Sequence, residues 1–553
     1  MQWDVEELAT DVLVLGGGMA GYRAALAARA RGADVLLAYR AKGASPYVIG
    51  FNAPIASMDP ADSPEVYFED VVKGGYQLND RRLVRLLAEK SIEAFNELSA
   101  WGVPFAQGPD SATGGIRVMQ RHLSGNRYPR SVFVPESTGG AILQVMNERA
   151  KLLGIHQIAG HKVVELLRDG DEVAGALLWK PHSGQLTAIY ARSVVIAMGG
   201  LGRLYADSTY PADVSADAFG MALDAGARLI DMEFVQFEPV VTMWPEACRG
   251  MEMPTAMLGD GAHLLNNRGE RFMLAHNPKL GERGIEKARL ALHIQREIDE
   301  GRGFPEGGVA FDATVLADAQ RESYVSHCRR LRAAGVELAH TAPIVAPAAH
   351  SMMGGVAVDG NGWSGVPGLY VGGEAAGGVH GASRIAGNGC SDTLVFGAIA
   401  GEGAARGMLP PRRRSWSAIE SRAMEQLAFT DDGASLHEVQ QLKQHMRESL
   451  AKAAGIWRSA PGLEAGLAAF EAMRQRLGRM EAGSREAAVE LGEARRMAEV
   501  GTTVLLAALT RTESRGAHQR TDFPEMDDAR WLHHISFSRP GGHALLQSTE
   551  PIQ

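Results

Sequence analysis

Two side chains within one glycine-rich stretch, residues 350–396, could act together on an anionic small molecule. His350 stands ahead of a Gly-Gly turn, and Arg384 lies inside the motif HGASRIAGN. An imidazole gains or loses a proton near neutral pH, whereas a guanidinium is a permanent cation that pairs with carboxylates. The surrounding glycines have no Cβ, so the backbone can approach a flat ligand closely. The stretch therefore predicts an anionic substrate bound beside a cofactor.

The elements that would position such a cofactor begin near the N-terminus. A buried apolar strand, Asp11–Leu15, is followed by a glycine-rich turn, an alanine-rich helix over Tyr22–Arg31 and a second strand over Asp34–Leu37. This is GxGxxG in its strand–turn–helix context, where unpaired N–H groups at the helix start face a pyrophosphate. Tyr39 stands where an acidic residue usually holds the ribose hydroxyls, so ribose recognition must differ here. The expected contacts in the turn are Gly16, Gly18, Met19, Ala20 and Gly21.

A third buried strand also ends in glycines. Ser193–Gly202, SVVIAMGGLG, predicts further cofactor contacts from Met198, Gly199 and Gly200. Two glycine-terminated strands fit a flavoprotein with two dinucleotide-contacting segments better than they fit a simple nicotinamide dehydrogenase. The pattern predicts an α/β fold.

Changes in patterning along the chain predict four segments. Residues 1–239 and 346–409 form the two parts of a cofactor-binding domain, and residues 240–345 form a capping domain richer in methionine and charge. Residues 410–553 form a helical C-terminal domain that follows a linker at Pro410–Arg414. Within the capping segment, Leu264–Phe272 is predicted to form a hairpin.

Bulk properties exclude several classes of protein. A net charge of −9 over 553 residues argues against a nucleic-acid partner. Three widely spaced cysteines without a CxxC pair argue against disulfides, a metal site or an iron–sulfur cluster held by this chain, and favour a reducing compartment. The N-terminus lacks a signal-peptide pattern, and no apolar run is long enough to span a membrane. We therefore expect a cytoplasmic protein without a direct membrane span.

With these residues placed, the chain resembles the FAD-dependent flavoprotein family of succinate dehydrogenase, fumarate reductase and L-aspartate oxidase. The resemblance rests on seven ordered segments: GGGMAG, AMGGLGRLYADSTYP, DMEFVQFEP, LLNNRGERFM, HSMMGGV, GLYVGGEAAGGVHGASRIAGN and ESRGAHQRTDFPEMDDARWLHH. It implies a Rossmann-like FAD-binding domain with an inserted α+β capping domain and a helical C-terminal domain. The activity it implies is hydride transfer between flavin N5 and a carbon next to a carboxylate.

The resemblance also implies roles for single residues. His350 and Arg384 would bind the substrate carboxylate, and Glu374 would hold the ribityl hydroxyls of FAD. The helix start at Asn388, Gly389 and Cys390 would face the pyrimidine end of the flavin, although Cys390 could equally be a buried structural thiol. The further cofactor contacts implied are Arg40, Ser45, Gly50, Val164, Asp217, Arg384 and Gly387.

The first departure from the family pattern concerns the covalent flavin bond. Where covalent members carry a histidine, this chain has Ser45-Pro46-Tyr47. We therefore predict non-covalent FAD. Since succinate oxidation needs the high flavin potential that a covalent bond gives, the departure also argues against succinate dehydrogenase activity.

The second departure lies in the substrate site. The family segment FVQFHPT is FVQFEPV here, so that Glu238 replaces a substrate-binding histidine. A carboxylate repels the second carboxylate of a dicarboxylic substrate unless it is protonated or paired. The substitution favours an amine or a substrate with one carboxylate, and not plain succinate.

The third departure concerns the general acid, an arginine on a helix of the capping domain. The matching segment, Glu282–Ile294, is about one turn longer here, so the register is ambiguous. Arg289 is the first candidate and Arg283 the second, and both could equally be surface charges. Otherwise proton transfer would fall to Glu238, His350 or water.

The resulting hypothesis is an FAD-dependent oxidoreductase acting on a carboxylate-bearing small molecule, with Arg289, Glu238, His350 and Arg384 as its catalytic and substrate-binding residues. An amino-acid or amine oxidase and a fumarate-reductase-like enoate reductase remain open within that class. So does the flavin subunit of a complex with a separate ferredoxin-like iron–sulfur protein, as in adenylylsulfate reductase. The alternative from another class is a non-catalytic flavoprotein.

Overall fold

The computed structural model of the protein describes residue 3 and residues 5–110, 114–181, 183–411, 423–539 and 544–552. The predicted linker at Pro410–Arg414 lies partly outside these residues.

The N-terminal part of the chain supplies most of the central sheet. Its strands are β1 (Val5–Leu15), β2 (Val35–Tyr39), β3 (Phe51–Asn52), β4 (Gln107–Pro109), β5 (Ile116–Val118), β6 (Gln120–Arg121), β7 (Ser131–Val132), β8 (His156–Ala159), β9 (Lys162–Asp169), β10 (Glu172–Lys180), β11 (Gln185–Ile196) and β12 (Leu229–Ile230). Its helices are α1 (Met19–Ala30), α2 (Pro64–Gly74), α3 (Arg81–Ala100), α4 (Thr138–Leu152) and α5 (Asp217–Asp224).

The capping segment contributes a second sheet and the helices packed beside it. Its elements are β13 (Val235–Trp244), α6 (Thr255–Asp260), β14 (His263–Leu265), α7 (Met273–His276), α8 (Lys287–Asp299), β15 (Val309–Asp312), α9 (Asp318–Glu322), α10 (Val325–Ala333) and β16 (Ile344–Met352).

The remaining elements complete the cofactor domain and form the C-terminal region. They are β17 (Gly355–Val356), β18 (Leu369–Val371), α11 (Asn388–Arg406), β19 (Phe429–Ala434), α12 (Leu436–Ala453), β20 (Trp457–Arg458), α13 (Ala460–Arg479), α14 (Arg485–Thr510), β21 (Gln519–Arg520), α15 (Asp528–Trp531), β22 (His533–Ser538) and β23 (Leu546–Pro551).

The central sheet brings the two predicted glycine-rich turns together. The strand order is β8-β2-β1-β11-β10-β9, and β18 pairs with the end of β11. Strand β1 lies parallel to both β2 and β11, so all three end at the same edge. Its last four residues, Val12–Leu15, are fully buried, as expected of a strand covered on both faces. The predicted Rossmann-like α/β fold is confirmed.

The capping domain joins the cofactor domain through two long paired strands. Strands β13 and β16 are antiparallel, with Glu238 opposite Ala348 and Val241 opposite Ala346. The predicted boundaries at 239/240 and 345/346 therefore fall within one continuous ladder. The predicted hairpin at Leu264–Phe272 is wrong, because β14 pairs with β15 instead. The segment after β14 turns through an Asn266 N–H to Glu270 carbonyl hydrogen bond without a returning strand.

Helices α12, α13 and α14 form the predicted helical C-terminal domain. Ser435 caps α12 and Ser484 caps α14, each accepting a hydrogen bond from an N–H of the first turn. Strands β22 and β23 return to the cofactor domain, where they extend a sheet of order β17-β12-β22-β23. Among the helices of the described ranges, none is both long and apolar enough to cross a membrane.

Candidate active site

Two positions of the first glycine-rich turn, Gly16 and Gly21, leave no room for a Cβ. Gly16 has φ +123°, and a Cβ there would overlap the Ala197 carbonyl oxygen. A Cβ on Gly21 would overlap the Gly16 carbonyl oxygen. Helix α1 begins without a side-chain cap at Gly18, and the N–H of Met19 donates to Ser45 Oγ at 2.9 Å. The loop carrying Ser45 therefore lies over the helix start that faces a pyrophosphate in this motif.

An ammonium group stands at the end of β2, close to where the motif usually has an acid. The Nζ of Lys42 lies 4.4 Å from the ring centroid of Tyr22 and 4.6 Å from that of Tyr39. The same ammonium donates to the Tyr22 hydroxyl at 2.5 Å. Tyr39 packs on the turn, since a Cβ on Gly17 would lie 2.6 Å from its ring. The sequence analysis missed Lys42, and Arg40 beside it is exposed.

Glu374 joins the second glycine-rich turn to the capping strand β16. Its Oε1 accepts a hydrogen bond from the Met352 N–H at 2.9 Å and another from the Tyr210 hydroxyl. A Cβ on Gly200 would lie 2.8 Å from the same carboxyl group. Burial raises the pKa of Glu374 to about 7. A buried, half-protonated carboxyl group is suited to exchange hydrogen bonds with ligand hydroxyls.

The start of α11 presents unused hydrogen-bond donors. Gly387 precedes the helix with φ +91°. The Oδ1 of Asn388 accepts from the Tyr67 hydroxyl and from Asn52 Nδ2, both at 2.7 Å. Its own Nδ2 is buried and has no partner among the described residues. An orphaned amide donor beside an uncapped helix start fits the carbonyl and phosphate oxygens of a flavin dinucleotide.

Cys390, in the first turn of the same helix, packs against the first glycine-rich turn. Its Sγ lies 3.5 Å from Met19 Sδ, and burial raises the pKa of the thiol. A neutral, buried thiol in this position fills space between α11 and α1.

Three further cofactor-contact candidates lie in different surroundings. A Cβ on Gly50 would lie 2.6 Å from Ser131 Oγ. Val164 is buried in an apolar cluster on the antiparallel side of the central sheet. Asp217 Oδ1 accepts from Arg496 Nε of α14 at 2.7 Å, so this carboxylate binds the C-terminal domain to α5. Its Oδ2 accepts from Ser215 Oγ at 2.9 Å, so both oxygens of Asp217 are engaged by protein.

Arg384 is held in place by reciprocal bonds to β13. Its Nη2 donates to Gln236 Oε1 at 3.0 Å, and Gln236 Nε2 donates to the Arg384 carbonyl at 3.0 Å. The Nε of Arg384 is buried and lacks a partner among the described residues. Burial lowers the pKa of this guanidinium, while the charges of Glu374, Glu238 and Glu252 act in the opposite direction. Arg384 therefore stands between the cofactor side and the capping side of the site.

His350, on β16, is oriented by two groups. Its Nδ1 lies 3.1 Å from Thr209 Oγ1 and 3.2 Å from Glu252 Oε1. Since a carboxylate only accepts hydrogen bonds, the Nδ1 proton points to Glu252. Within the described ranges Nε2 makes no hydrogen bond to protein, and it is left for a ligand.

Glu252 is a site residue that sequence reasoning missed. Burial alone would raise its pKa, but His350, Lys287 and Arg384 together lower the pKa to about 2. Its side chain is nevertheless 45% exposed. The carboxylate is thus partly exposed and lies close to His350, Lys287 and Arg384.

Glu238 is buried on β13 and paired. Lys287 Nζ lies 2.7 Å from Glu238 Oε1 and 2.9 Å from Oε2. Lys287 is the first residue of α8, the helix on which the general acid was predicted. The sequence does contain Lys287 in that ambiguous segment, but its pairing with Glu238 depends on the register that the first turn of α8 takes.

The two predicted arginines, Arg289 and Arg283, lie outside the Lys287–Glu238 pair. Arg289 is exposed, and its charge acts on the pKa of Tyr76 in the cofactor domain. Arg283 is also exposed, with Nη2 3.0 Å from the position of a Cβ on Gly261. Among the described residues, no hydrogen bond or ion pair joins either arginine to Glu238, and Lys287 makes that contact.

Glu238, Glu252 and His350 form a compact group, with one ligand atom from each within 4.8 Å of the others. Such a group could hold a metal ion. The Lys287 ammonium already contacts both oxygens of Glu238 and supplies positive charge at this point.

The C-terminal segment ESRGAH braces the loop that carries Arg384. The Ala517 N–H donates to the Ala382 carbonyl at 2.9 Å, and Arg515 Nη1 donates to the Tyr76 carbonyl at 2.9 Å. His518 is fully buried, accepting from Arg458 at Nδ1 and donating from Nε2 to the Arg511 carbonyl. These contacts give the segment a positioning role.

Comparison with known proteins places this arrangement in a family. The family described as FAD binding domain matches residues 11–390, and that described as fumarate reductase flavoprotein C-term matches residues 443–550. The chain belongs to this flavoprotein family. One relative, a fumarate reductase (CoM/CoB) subunit of Methanothermobacter marburgensis, is 34% identical over 526 residues, covering 93% of this chain and 94% of that protein.

Two further relatives extend the family likeness over nearly the whole chain. The L-aspartate oxidase of Streptomyces coelicolor is 30% identical over 557 residues, covering 96% of this chain and 91% of that protein. The structure of Mycobacterium smegmatis Sdh1 in complex with UQ1 has a TM-score of 0.88 at 31% identity, covering 99% of this chain and 95% of that one. The protein is an FAD-dependent oxidoreductase, as predicted, and the glycine turns and the α11 start fit FAD.

Proposed function

We propose that the protein moves a hydride between FAD and a carbon next to the carboxylate of a small-molecule substrate bound beneath the capping domain. The position of Arg384 carries this proposal. The charges of Glu374 on the cofactor side and of Glu238 and Glu252 on the capping side all raise the pKa of its guanidinium. When bound, FAD supplies N5 as the hydride donor or acceptor.

Arg384 binds the substrate carboxylate in this proposal, because a guanidinium fork matches a carboxylate in geometry and charge. Gln236 holds the fork in place through its 3.0 Å hydrogen bond to Nη2. His350 offers Nε2 as a second contact to the substrate, and its orientation is set by Glu252 and Thr209.

The Lys287–Glu238 pair handles the proton in this proposal. The Lys287 ammonium can donate a proton to the substrate carbon, and the neutral amine that remains can take up a proton from solvent, since the side chain is 39% exposed. Arg289 remains the competing candidate for the general acid, and variants of the two residues separate the possibilities.

Two narrower statements belong to the same proposal. The substrate is not plain succinate, because a second carboxylate on the capping side would meet Glu252 and a lysine already engaged by Glu238. FAD is held without a covalent bond, since Ser45, Pro46 and Tyr47 occupy the segment where covalent members carry histidine, and Tyr47 is 67% exposed.

Reoxidation of the reduced protein tests the proposal. The purified holoenzyme is reduced anaerobically with dithionite, and flavin absorption is followed on adding air, fumarate or an iminoaspartate-type acceptor. Rapid reoxidation by air supports an oxidase, and rapid reoxidation by the imino acid supports a reductase. Rapid reoxidation by fumarate would also indicate a reductase but would contradict the exclusion of plain succinate. Release of the flavin by acid checks the non-covalent assignment.

The matched control for this experiment is Arg384→Lys, which keeps the charge but loses the fork. We expect reoxidation by an organic acid to slow at least about 100-fold, while reoxidation by air changes little. Equal reoxidation by the organic acid in both proteins would contradict the proposed carboxylate clamp.

A second candidate function is that of the flavin subunit of a complex with an iron–sulfur protein. It is favoured by the names of relatives, which include a subunit of a fumarate reductase. The test uses a bacterial ferredoxin as the electron acceptor. Reoxidation by ferredoxin at least about tenfold faster than by air would favour a partner protein, and slower reoxidation would argue against one.

A further inference from the structure

The charges of the substrate site are arranged in two poles. Arg384 forms a positive pole, with its fork held by Gln236. On the capping side, Lys287 and Glu238 neutralise each other, since the ammonium contacts both carboxylate oxygens. Glu252 has no lysine or arginine ion-pair partner among the described residues. It is engaged at Oε1 by His350, and 45% of its side chain is exposed.

The second oxygen of Glu252 is available to a ligand. The hydrogen bonds of the described residues include none to Glu252 Oε2, whereas Oε1 faces His350 Nδ1 at 3.2 Å. The segment at Glu252 forms an antiparallel bridge to β13, with Glu252 opposite Val241. Glu238 lies on β13 and His350 on β16. Three neighbouring extended segments thus fix these groups relative to one another.

We infer that Glu252 binds a positively charged, hydrogen-bond-donating group of the substrate, which carries its single carboxylate at the Arg384 pole. The chemical class is a monocarboxylate bearing a protonated amine, amidine or imidazole. A dicarboxylate would place a second negative charge beside Glu252, where the Lys287 ammonium is already engaged by Glu238. A simple monocarboxylate would offer no hydrogen-bond donor to Oε2 of Glu252.

This inference rests on the proposed function, because Arg384 must hold the carboxylate for Glu252 to meet the other end. It is tested by binding alone, through ligand-induced changes in the flavin absorption of the oxidised holoenzyme. The probes are propanoate, β-alanine and succinate, which share a propanoate core and differ in whether the third carbon carries hydrogen, ammonium or carboxylate.

We expect β-alanine to bind at least about tenfold more tightly than propanoate, and succinate to bind most weakly. In Glu252→Gln, which keeps an acceptor for His350 but loses the charge, the preference for β-alanine should fall below about twofold. Glu246→Gln is the matched control, since Glu246 is six residues earlier and 82% exposed.

The outcomes distinguish failure of the role inferred for Glu252 from failure of the proposed function. Tighter binding of succinate than of β-alanine, or an unchanged preference in Glu252→Gln, overturns the inference while leaving the carboxylate clamp in place. If Arg384→Lys binds propanoate as well as the wild type, or if no probe perturbs the flavin, the proposed function fails and the inference with it.

Discussion

The cofactor side and the substrate side of the site are built by different means. On the cofactor side, glycines such as Gly16 and Gly21 sit where any Cβ would overlap a neighbouring carbonyl oxygen. On the substrate side, charged groups meet across long stretches of chain: Glu238 and Lys287 are 49 residues apart, and Gln236 and Arg384 are 148 apart. The first kind of requirement is steric and local, whereas the second depends on how separate elements dock.

A substitution that places a Cβ in the glycine-rich turn of the cofactor side should have the largest effect. In Gly21→Ala the new methyl group overlaps the Gly16 carbonyl, so the turn must open, at a cost of about 3 kcal/mol or more. We expect FAD affinity, measured by quenching of flavin fluorescence on titrating the apoprotein, to fall at least about 100-fold. Gly478→Ala is the control, because a Cβ there meets nothing within 4 Å and FAD affinity should be unchanged.

Breaking the charged side should slow turnover. In Lys287→Met the proton donor is lost and Glu238 is left without its cation, so we expect the reoxidation rate with an organic acid to fall about 100-fold. Arg289→Met should lower the rate less than about threefold. A larger loss in Arg289→Met than in Lys287→Met would make the arginine the general acid.

The double variant Glu238→Gln/Lys287→Met separates proton transfer from folding. It removes the unpaired charge that the single variant leaves behind. Recovery of the rate in the double variant would show that the single variant fails through misfolding, whereas a rate that stays low supports the role in proton transfer.

Glu374 lies where the cofactor side meets the substrate side, and it should make the free energy of unfolding depend on pH. Glu374 has its pKa raised to about 7, so the folded protein holds a proton that the unfolded chain loses near its usual pKa. This stabilisation is fully present below about pH 4.5 and is lost as the pH rises through about 7.

The matched variant is Glu374→Gln, which mimics the protonated carboxyl at every pH. The free energy of unfolding of the wild-type apoprotein, relative to the variant, should fall by on the order of 2 kcal/mol between about pH 5 and pH 8. Parallel pH profiles from urea denaturation would mean that Glu374 does not titrate in this range.

The smallest effect is expected where the capping domain touches the C-terminal domain. The Arg296 guanidinium lies 5.5 Å from the ring centroid of Trp457, a contact worth about 0.5–1 kcal/mol at an exposed position. Arg296→Gln should therefore weaken propanoate binding by about two- to fivefold, with Arg283→Gln as the control. An effect above about twentyfold would mean that the contact governs the position of α8.

The sequence could predict the glycine turns of the cofactor side, but not the charged contacts that depend on how separate elements dock. The strand–turn–helix pattern at Gly16–Gly21 and the turn at Met198–Gly200 lie at one sheet edge because parallel strands end together. Lys287 and Glu252 could not be found in this way. The helix register that turns Lys287 toward β13 is set by packing, and Glu252 enters through a bridge opposite Val241 in an irregular segment. The position of Lys42 likewise depends on tertiary packing, because its ammonium lies against two tyrosine rings.

The charged residues held by strands β13 and β16 make ligand binding in the substrate pocket sensitive to salt concentration. Glu238 and His350 lie on β13 and β16, and Glu252 forms a bridge opposite Val241 of β13, so strand pairing sets the spacing of the three residues. Lys287 belongs to α8, and a displacement of that helix would leave two carboxylates facing one guanidinium. The pocket would then change from electrically balanced to negative, drawing cations inward from a distance of about a Debye length. Raising the ionic strength would screen this attraction and weaken the binding of a cationic ligand.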